Sequence, residues 1–289
     1  MKTSAAASGV LRSTIPARVD RLPWSRFHTR MVVALGTCWL LDGFEVTIAE
    51  NIGEQLAKPD SLALSQQAIG WLATIYLLGE VAGALFFGRL SDRLGRRRLF
   101  FLTLLIYFTG SALTASVIGT GSFALFFLYL TRFVAGVGIG GEYAAINSMI
   151  DELTPARYRG RVDIIVNGTY WAGAAFAAMV QIPLLSGAIS PRYDWRIAML
   201  IGPLIAIAIV FVRRGIPESP RWQIINGRNR DAETSIAYIE QEVKQAGKTL
   251  PRVDDNRAIH IKPAPGTGYF TLLRVLSRPI PLAQSWAPQ

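Results

Sequence analysis

The sequence predicts an all-α membrane protein built around a bundle of six transmembrane helices. Three observations predict this fold class. Hydrophobic residues make up 51% of the 289 residues and charged residues only 17%, a low share for a soluble chain of this length. The apolar residues concentrate between positions 31 and 212. The basic residues gather in alternate connections between the apolar stretches.

Each apolar stretch is long enough to cross a bilayer as one helix of about 20 residues. A helix satisfies its own backbone hydrogen bonds, so it tolerates hydrocarbon surroundings. The apolar residues are not confined to one stripe, as expected for helices that contact lipid on one side and protein on the other. The predicted spans are 31–50, 68–90, 99–118, 123–147, 162–186 and 195–212.

The placement of lysine and arginine predicts that both termini lie in the cytoplasm. Cytoplasmic connections of membrane proteins are enriched in basic residues, and here every second connection is basic while the others hold at most one such residue. The sequence therefore predicts a multi-pass protein of the plasma or inner membrane. The basic segments are the N-terminal tail 1–30, the loops 89–98 and 157–161, and the linker or tail 213–289, which is predicted to contain short helices.

Several function classes find no support in the sequence. The formal charge of +10 does not indicate nucleic-acid binding, because the arginines cluster at the ends of apolar spans. There is no phosphate-binding P-loop motif, and His28 and His260 lie in the flanks without a cluster of metal ligands. We therefore expect no cofactor and no metal. A membrane-embedded enzyme is disfavoured, because no nucleophile–base pair lies within the spans.

Ionisable side chains inside the spans indicate function, because they are costly in lipid and normally face a protein interior or an aqueous cavity. Asp42 and Glu45 are three residues apart on the first span and share a helix face. An acid on one helix and an arginine on another can neutralise each other, and a proton can break that pair. A permanent pair that fixes helix packing is the structural alternative. Away from the span ends, the other charged residues within spans are Glu80, Arg132 and Glu142.

Four ordered motifs carry a family resemblance. Residues 88–98 (GRLSDRLGRRR) resemble the signature between the second and third helices of the major facilitator superfamily. Residues 132–142, 152–161 and 217–222 resemble the later signatures of its sugar-porter branch. Residues 42–45 (DGFE) are similar to the acidic motif of the aromatic-acid proton symporters, where aspartate is commoner at the last position.

The resemblance implies roles for particular residues. Glu45 and Arg132 would form the proton-coupling pair, with Asp42 as an accessory acid. A cytoplasmic gate would be formed by Asp92, Arg93, Arg96, Arg97, Glu152, Arg161, Glu218 and Arg221. Separately from the resemblance, polar and amphipathic side chains within spans that could face a central cavity predict substrate contacts at Tyr76, Glu142, Asn167, Tyr170 and Trp171. The alternative for Tyr170 and Trp171 is a position against lipid or a neighbouring helix, and for Tyr76 a place in the core.

A complete member of the superfamily has two six-helix halves, and this sequence corresponds to the N-terminal half. We therefore expect the second half to be absent and the transport site, which lies between halves, to be incomplete. The expected function is secondary transport, by proton symport of a small organic or aromatic acid or a sugar-like solute. The expected partners are the lipid bilayer, the solute and proton, and a separate or missing second half. The alternative is a non-transporting membrane remnant or an interaction module.

Overall fold

The computed structural model of the chain describes residues 11–184, 190, 193–213, 215–253, 256 and 258–261. The predicted tail and linker therefore lie partly outside the described residues, at positions 1–10 and 262–289. The elements are β1 (Leu11–Ser13), α1 (Ile15–Asp20), α2 (Arg26–Asn51), α3 (Gly53–Ala57), α4 (Gln66–Leu94), α5 (Arg96–Ala115), α6 (Ser122–Leu153), α7 (Ala156–Leu184), α8 (Asp194–Arg213), α9 (Pro220–Ile225), α10 (Asn229–Gln245) and β2 (Ile259–Ile261).

The long helices match the six predicted spans, and most extend past them at the ends that carry the basic loops. Within the described part of the chain, five regions are long and apolar enough to cross a membrane: α2 with α3, α4, α5, α6, and α8 as far as Phe211. The 29-residue α7 is long enough, but it is not among these five regions. Beyond its first turns, it includes the polar residues Asn167, Thr169 and Gln181, which lower its mean hydropathy.

The bundle is built from pairs of long helices. Helix α4 packs along α6, α2 packs along α7, and α5 packs against both α6 and α8. The chain reverses direction at every connection, so the start of α2 lies at the same end as the basic α4–α5 and α6–α7 connections. Helices α9 and α10 follow α8 at that end.

Helices α4 and α6 cross without side chains between their backbones. A Cβ atom added at Gly79 or Gly83 would strike the α6 backbone, and one added at Gly136 or Gly140 would strike the α4 backbone. Small residues at four-residue spacing allow this close approach in membrane helices. These four glycines therefore serve the packing of α4 on α6.

Residues 11–25 form an ordered cap with the linker. Strand β1 pairs antiparallel with β2, which lies far along the chain beyond α10. Ile15 and Val19 of α1 pack with Ile224, Ala232 and Ile236 of the linker helices. The cap thus joins the segment just before α2 to the linker.

Ion pairs hold α1 against α10. The Arg18 guanidinium donates to both oxygens of Glu240, at 3.0 and 2.8 Å, and Arg21 also donates to this carboxylate. The partial burial of Glu240 opposes ionisation, but the hydrogen bonds from Arg18 and Arg21 prevail and hold its pKa below the ordinary value. The same hydrogen bonds raise the pKa of Arg18, so this side chain stays charged throughout the accessible pH range.

The α4–α6 crossing predicts that Gly140→Ala destabilises the bundle, because the added methyl group meets the backbone of Glu80. We expect a loss of about 1–3 kcal/mol, measured by thermal unfolding of the purified chain in detergent. Gly168→Ala on α7 is the matched control, since nothing lies within 4 Å of its Cβ position. Its replacement should be neutral or stabilising, because alanine favours helix more than glycine does. Equal melting temperatures for the two variants would contradict the close crossing.

The lowered pKa of Glu240 predicts a pH-dependent attachment of α1. A lowered folded-state pKa contributes stability above the ordinary value near 4.5, and that contribution is lost as the pH falls through the folded-state value. Glu240→Gln should therefore mimic acid at neutral pH and expose the peptide bonds after Arg18 and Arg21 to trypsin. Asp231→Asn is the control, because Asp231 is exposed on the same helix and makes no ion pair with a described residue, whereas Glu233 also binds Arg18. Equal trypsin sensitivity of the two variants would show that Glu240 does not hold α1.

Candidate functional site

The centre of the bundle contains a fully buried carboxylate with three donors. Oε1 of Glu45 accepts from Arg132 Nη1 at 2.5 Å and from Ser111 Oγ at 3.0 Å. Its Oε2 accepts from the Tyr107 hydroxyl at 2.9 Å. A Cβ atom at Gly202 would lie 2.7 Å from Oε2, so α8 closes over the group without a side chain. Four helices thus enclose one carboxylate and satisfy both of its oxygens.

Arg132 connects this carboxylate to a second acid. Its side chain is only 4% exposed, and its guanidinium carbon lies 4.4 Å from the centre of the Tyr76 ring. This geometry is a cation–π contact. The Tyr76 hydroxyl points to Asp42, at a long distance of 3.5 Å from Oδ1. Arg132 is therefore paired with Glu45 directly and approaches Asp42 through an aromatic ring.

Asp42 and Glu45 face different neighbours although they share one side of α2. The Tyr143 hydroxyl donates to Oδ2 of Asp42, and the Tyr143 ring stacks on Trp39 with centroids 4.5 Å apart. Asp42 has no salt bridge to an arginine or lysine among the described residues. It is held instead by tyrosine hydroxyls, which leaves one uncompensated acid beside an aromatic pair.

Two further groups extend this acidic region. One carboxylate oxygen of Glu80 is buried without a hydrogen-bond partner among the described residues, and the side chain as a whole is half-buried. Tyr170 lies on α7 where that helix touches α2, because a Cβ atom at Gly43 would strike the Tyr170 backbone. Both groups therefore lie close to Asp42, at the edge of the bundle interior.

Glu142 lies in a separate buried cluster with Cys38 and Arg213. The Arg213 guanidinium donates to the Ala34 carbonyl at 2.8 Å and to Cys38 Sγ at 2.9 Å, and it stacks 3.4 Å from the Phe100 ring centre. One oxygen of Glu142 is buried here without a hydrogen-bond partner among the described residues. From the sequence, Arg213 is the first residue of the basic segment that follows the last span. In the structure its side chain is buried.

The remaining predicted substrate contacts lie outside these clusters. The Asn167 amide donates to the backbone and the carboxylate of Asp163, one turn earlier on α7, at 2.8 and 3.0 Å. The Asn167 amide thus finds its hydrogen-bond partners on its own helix. Trp171 is 74% exposed and touches the Tyr170 ring edge-on. Their role in substrate contact stays a prediction.

A second charged constellation lies at the basic end of the bundle. Arg96 donates to Glu152 at 3.0 Å and lies 3.2 Å from Asp92. The Asp92 side chain is 56% exposed, and the Trp222 indole donates to the Asp92 carbonyl at 2.8 Å. Three of the predicted gate residues thus form one network, with α9 packed against it.

Glu218 occupies the start of α5 rather than pairing with a basic side chain. Its carboxylate accepts from the backbone N–H groups of Arg96 at 3.0 Å and Arg97 at 3.2 Å. Anions are favoured at helix N-termini, where backbone donors lack helical partners. Gly95 makes room for this cap with a φ of 92°, a left-handed value that favours glycine.

The structure does not bring all predicted gate residues into this network. Arg93 and Arg161 are exposed and make no ion pair with the residues that the structure describes. Arg221 lines a small pocket with Glu152, Asp151 and Arg159, without an ion pair to a described residue. The motif therefore combines residues that meet through space with others that only add positive charge to this end.

Three residues of the site were not indicated by the sequence pattern: Tyr107, Ser111 and Tyr143. Each donates to Glu45 or Asp42 from a helix other than α2. A hydroxyl within an apolar span is a signal that needs a partner, but it does not identify that partner. Their role emerges only when the helices are packed.

Comparison with known proteins gives a consistent picture. Residues 36–261 match the family model described as sugar (and other) transporter. The chain is 32% identical over 225 residues to a niacin transporter from Acinetobacter baylyi, covering 78% of this chain and 48% of that protein. It is 29% identical over 218 residues to the major myo-inositol transporter of Bacillus subtilis, covering 74% of this chain and 44% of that one.

The fold matches that of a solved transporter. The proton:xylose symporter XylE superposes with a TM-score of 0.67 at 20% identity, over 76% of this chain and 52% of that one. The same transporter has been solved from Escherichia coli in an inward-open conformation, which superposes with a TM-score of 0.61. The chain spans about half the length of the curated relatives it matches.

The buried pair predicts strongly non-additive mutations. Arg132→Met should lower the free energy of unfolding by about 3–5 kcal/mol, because it leaves the Glu45 carboxylate buried without its cation. Combining it with Glu45→Gln should recover much of that loss, as measured by unfolding of the purified chain in detergent. Tyr107→Phe should cost about 1.5–3 kcal/mol, because it removes one donor to a charged group. The coupling between Arg132 and Glu45 would be contradicted if the double variant lost as much free energy of unfolding as the Arg132→Met and Glu45→Gln single variants together.

Proposed function

The chain belongs to the sugar (and other) transporter family of the major facilitator superfamily, and on this basis we propose that it supplies one half of a proton-coupled secondary transporter. The observation that carries the proposal is the fully buried ion pair between Glu45 and Arg132. In this fold the solute path runs between two six-helix halves, near the bilayer midplane. The proposed cargo is a small organic solute.

The pair supplies a chemical route for coupling. A proton on Glu45 removes its negative charge, and Arg132 then loses its counter-ion inside an apolar bundle. The nearest compensation is Asp42, which Arg132 approaches through the Tyr76 ring. A shift of the guanidinium toward Asp42 changes how α6 packs on α2 and α4. Protonation thereby alters the relative energies of two bundle arrangements, which is what alternating access requires.

A permanent structural pair is the competing interpretation. Replacing a buried ion pair by apolar residues is often neutral or stabilising, so stability alone is a weak reason for such a pair. Asp42 and Glu80 add further acids to the same region without adding cations. A purely structural site has no need of three carboxylates around one guanidinium, whereas a proton-binding site does.

The network at the basic end suits a gate. Exposed ion pairs contribute only about 0–1 kcal/mol each, but several can bias two states that are close in energy. Arg96 binds Asp92 and Glu152, and Glu218 caps α5 at the same place. We infer that this end faces the cytoplasm, since basic connections are retained there. Separation of these contacts would accompany opening to that side.

The cargo class follows from the groups at the edge of the bundle. Trp39 and Tyr143 provide an aromatic surface, and the carboxylates of Asp42 and Glu80 provide hydrogen-bond acceptors. Hydroxyl groups of a sugar-like solute, or an aromatic acid that carries its proton, can donate to such carboxylates. Two relatives are named as transporters of niacin, which is an aromatic acid, and of myo-inositol, which is a polyol.

The proposal predicts that Glu45→Gln abolishes accumulation of solute driven by a proton gradient while leaving solute exchange intact. The glutamine amide cannot bind and release a proton, so the coupling step is lost. The path that the solute takes through the protein stays intact. Uptake of labelled nicotinate and myo-inositol into vesicles with an imposed pH gradient would measure both activities. The measurement is made on this chain and on a version extended by a second six-helix half.

Glu50→Gln is the matched control, because Glu50 lies on the same helix but is exposed. It should leave uphill uptake unchanged. Undiminished uphill uptake by the Glu45→Gln protein would remove Glu45 from the coupling step. Absence of uptake by both the native chain and the extended version would favour a non-transporting membrane protein.

A further inference from the structure

A groove of about 430 Å³ lies outside the polar centre, at the basic end of the bundle. It is formed by the first two turns of α2, the residues just after α8, and the linker helix α10. The transport proposal makes no use of this groove. Its position between a membrane-spanning helix and the cap places it where lipid headgroups meet the bundle.

One face of α2 forms the wall of the groove. Arg26, Thr29, Arg30 and Val33 follow the i, i+3, i+4 and i+7 spacing of a single helix face, and all four are exposed. Phe27 and Met31, between them in sequence, turn inward and are buried. The exposed stripe is therefore a continuous surface and not an irregular end of the helix.

The polarity of this stripe changes along the helix axis. Arg26 and Arg30 lie toward the outer end, while Val33, 56% exposed, lies about 10 Å deeper than Arg26 and about 4.5 Å deeper than Arg30, given a rise of 1.5 Å per residue. Buried Ile216 and the half-exposed ring of Tyr238 complete the apolar wall. A phospholipid has the same order of polarity, with its phosphate at the surface and its acyl chains beneath.

The charge at the outer end is positive and partly unmatched. Arg26 makes no hydrogen bond or ion pair with any residue in the described ranges. Arg30 lies 3.2 Å from Glu242, but its side chain is 70% exposed, so its other donors face solvent. No acidic residue is among the described residues that line the groove. Two arginines one helical turn apart are well placed to hold one phosphate group.

We propose that this groove binds an anionic phospholipid, with the phosphate between Arg26 and Arg30 and an acyl chain along Val33. Basic pockets beside transmembrane helices on the cytoplasmic side are suited to anionic headgroups. The Thr29 hydroxyl lies on the same face and adds a hydrogen-bond donor. The site would tie the cap to the lipid composition of the leaflet, and it does not depend on the proposed transport activity.

Native mass spectrometry of the purified chain, titrated with phosphatidylglycerol or phosphatidylcholine of matched acyl chains, tests the proposal. Phosphatidylglycerol should bind more tightly than phosphatidylcholine. Each basic residue near an anionic lipid contributes about fivefold in affinity. Arg26→Gln should therefore weaken phosphatidylglycerol binding by about fivefold, and the double variant with Arg30→Gln by about thirtyfold.

The controls separate this site from general attraction to positive charge. Arg230→Gln combined with Lys244→Gln removes two exposed charges from the linker outside the groove and should leave binding unchanged. Arg26→Lys keeps the charge and should retain most of the affinity. Equal binding of the two lipids, or equal losses in the groove and linker variants, would overturn the proposal. A dimer mass without bound lipid would instead assign the groove to a second copy of the chain.

Discussion

The cost of a charge in an apolar interior controls the centre of this protein. Glu45 is tolerated only because a guanidinium and two hydroxyls reach it from α5 and α6. Those contacts fix the rotation of each helix about its own axis, since a turned helix would leave a donor or the carboxylate unmatched. The glycine crossing of α4 and α6 then sets how closely the helices that carry Tyr76 and Arg132 approach.

Helix α8 connects the buried clusters. Near its middle, Gly202 lies against Glu45 and Tyr107, and at its last residue Arg213 reaches Ala34 and Cys38 of α2. The contact at Gly202 requires a residue without a side chain. The contact at Arg213 requires a long side chain. A rigid-body shift of α8 would disturb both clusters together, so the interior and the basic end of the bundle are mechanically linked.

The sequence was sufficient for features that depend on local pattern. Apolar length located the six long helices. The intramembrane charges Glu45 and Arg132 were singled out by their rarity, and the structure brings them together. Their role in proton coupling stays a prediction.

Other features depend on contacts between distant parts of the chain, which a local pattern does not reveal. Arg213 follows an apolar span, so its charge alone indicated a helix exit, whereas stacking on Phe100 and hydrogen bonds to α2 keep it buried. Tyr107 and Ser111 looked like ordinary span residues until the helices were packed. The cap was missed because β1 and β2 are nearly 250 positions apart, and three-residue strands carry little periodic signal.

The pairing of β1 with β2 has a consequence for biosynthesis. Leu11 leaves the ribosome before any long helix, but its partner Ile261 is made only after all six have been synthesised. The cap therefore closes last, when the helices have already entered the bilayer. Until the linker helices have been made, α1 lacks its packing partners, and its apolar face is accessible to chaperones. Completion of the cap marks the moment at which this half of the polypeptide has been fully delivered to the membrane.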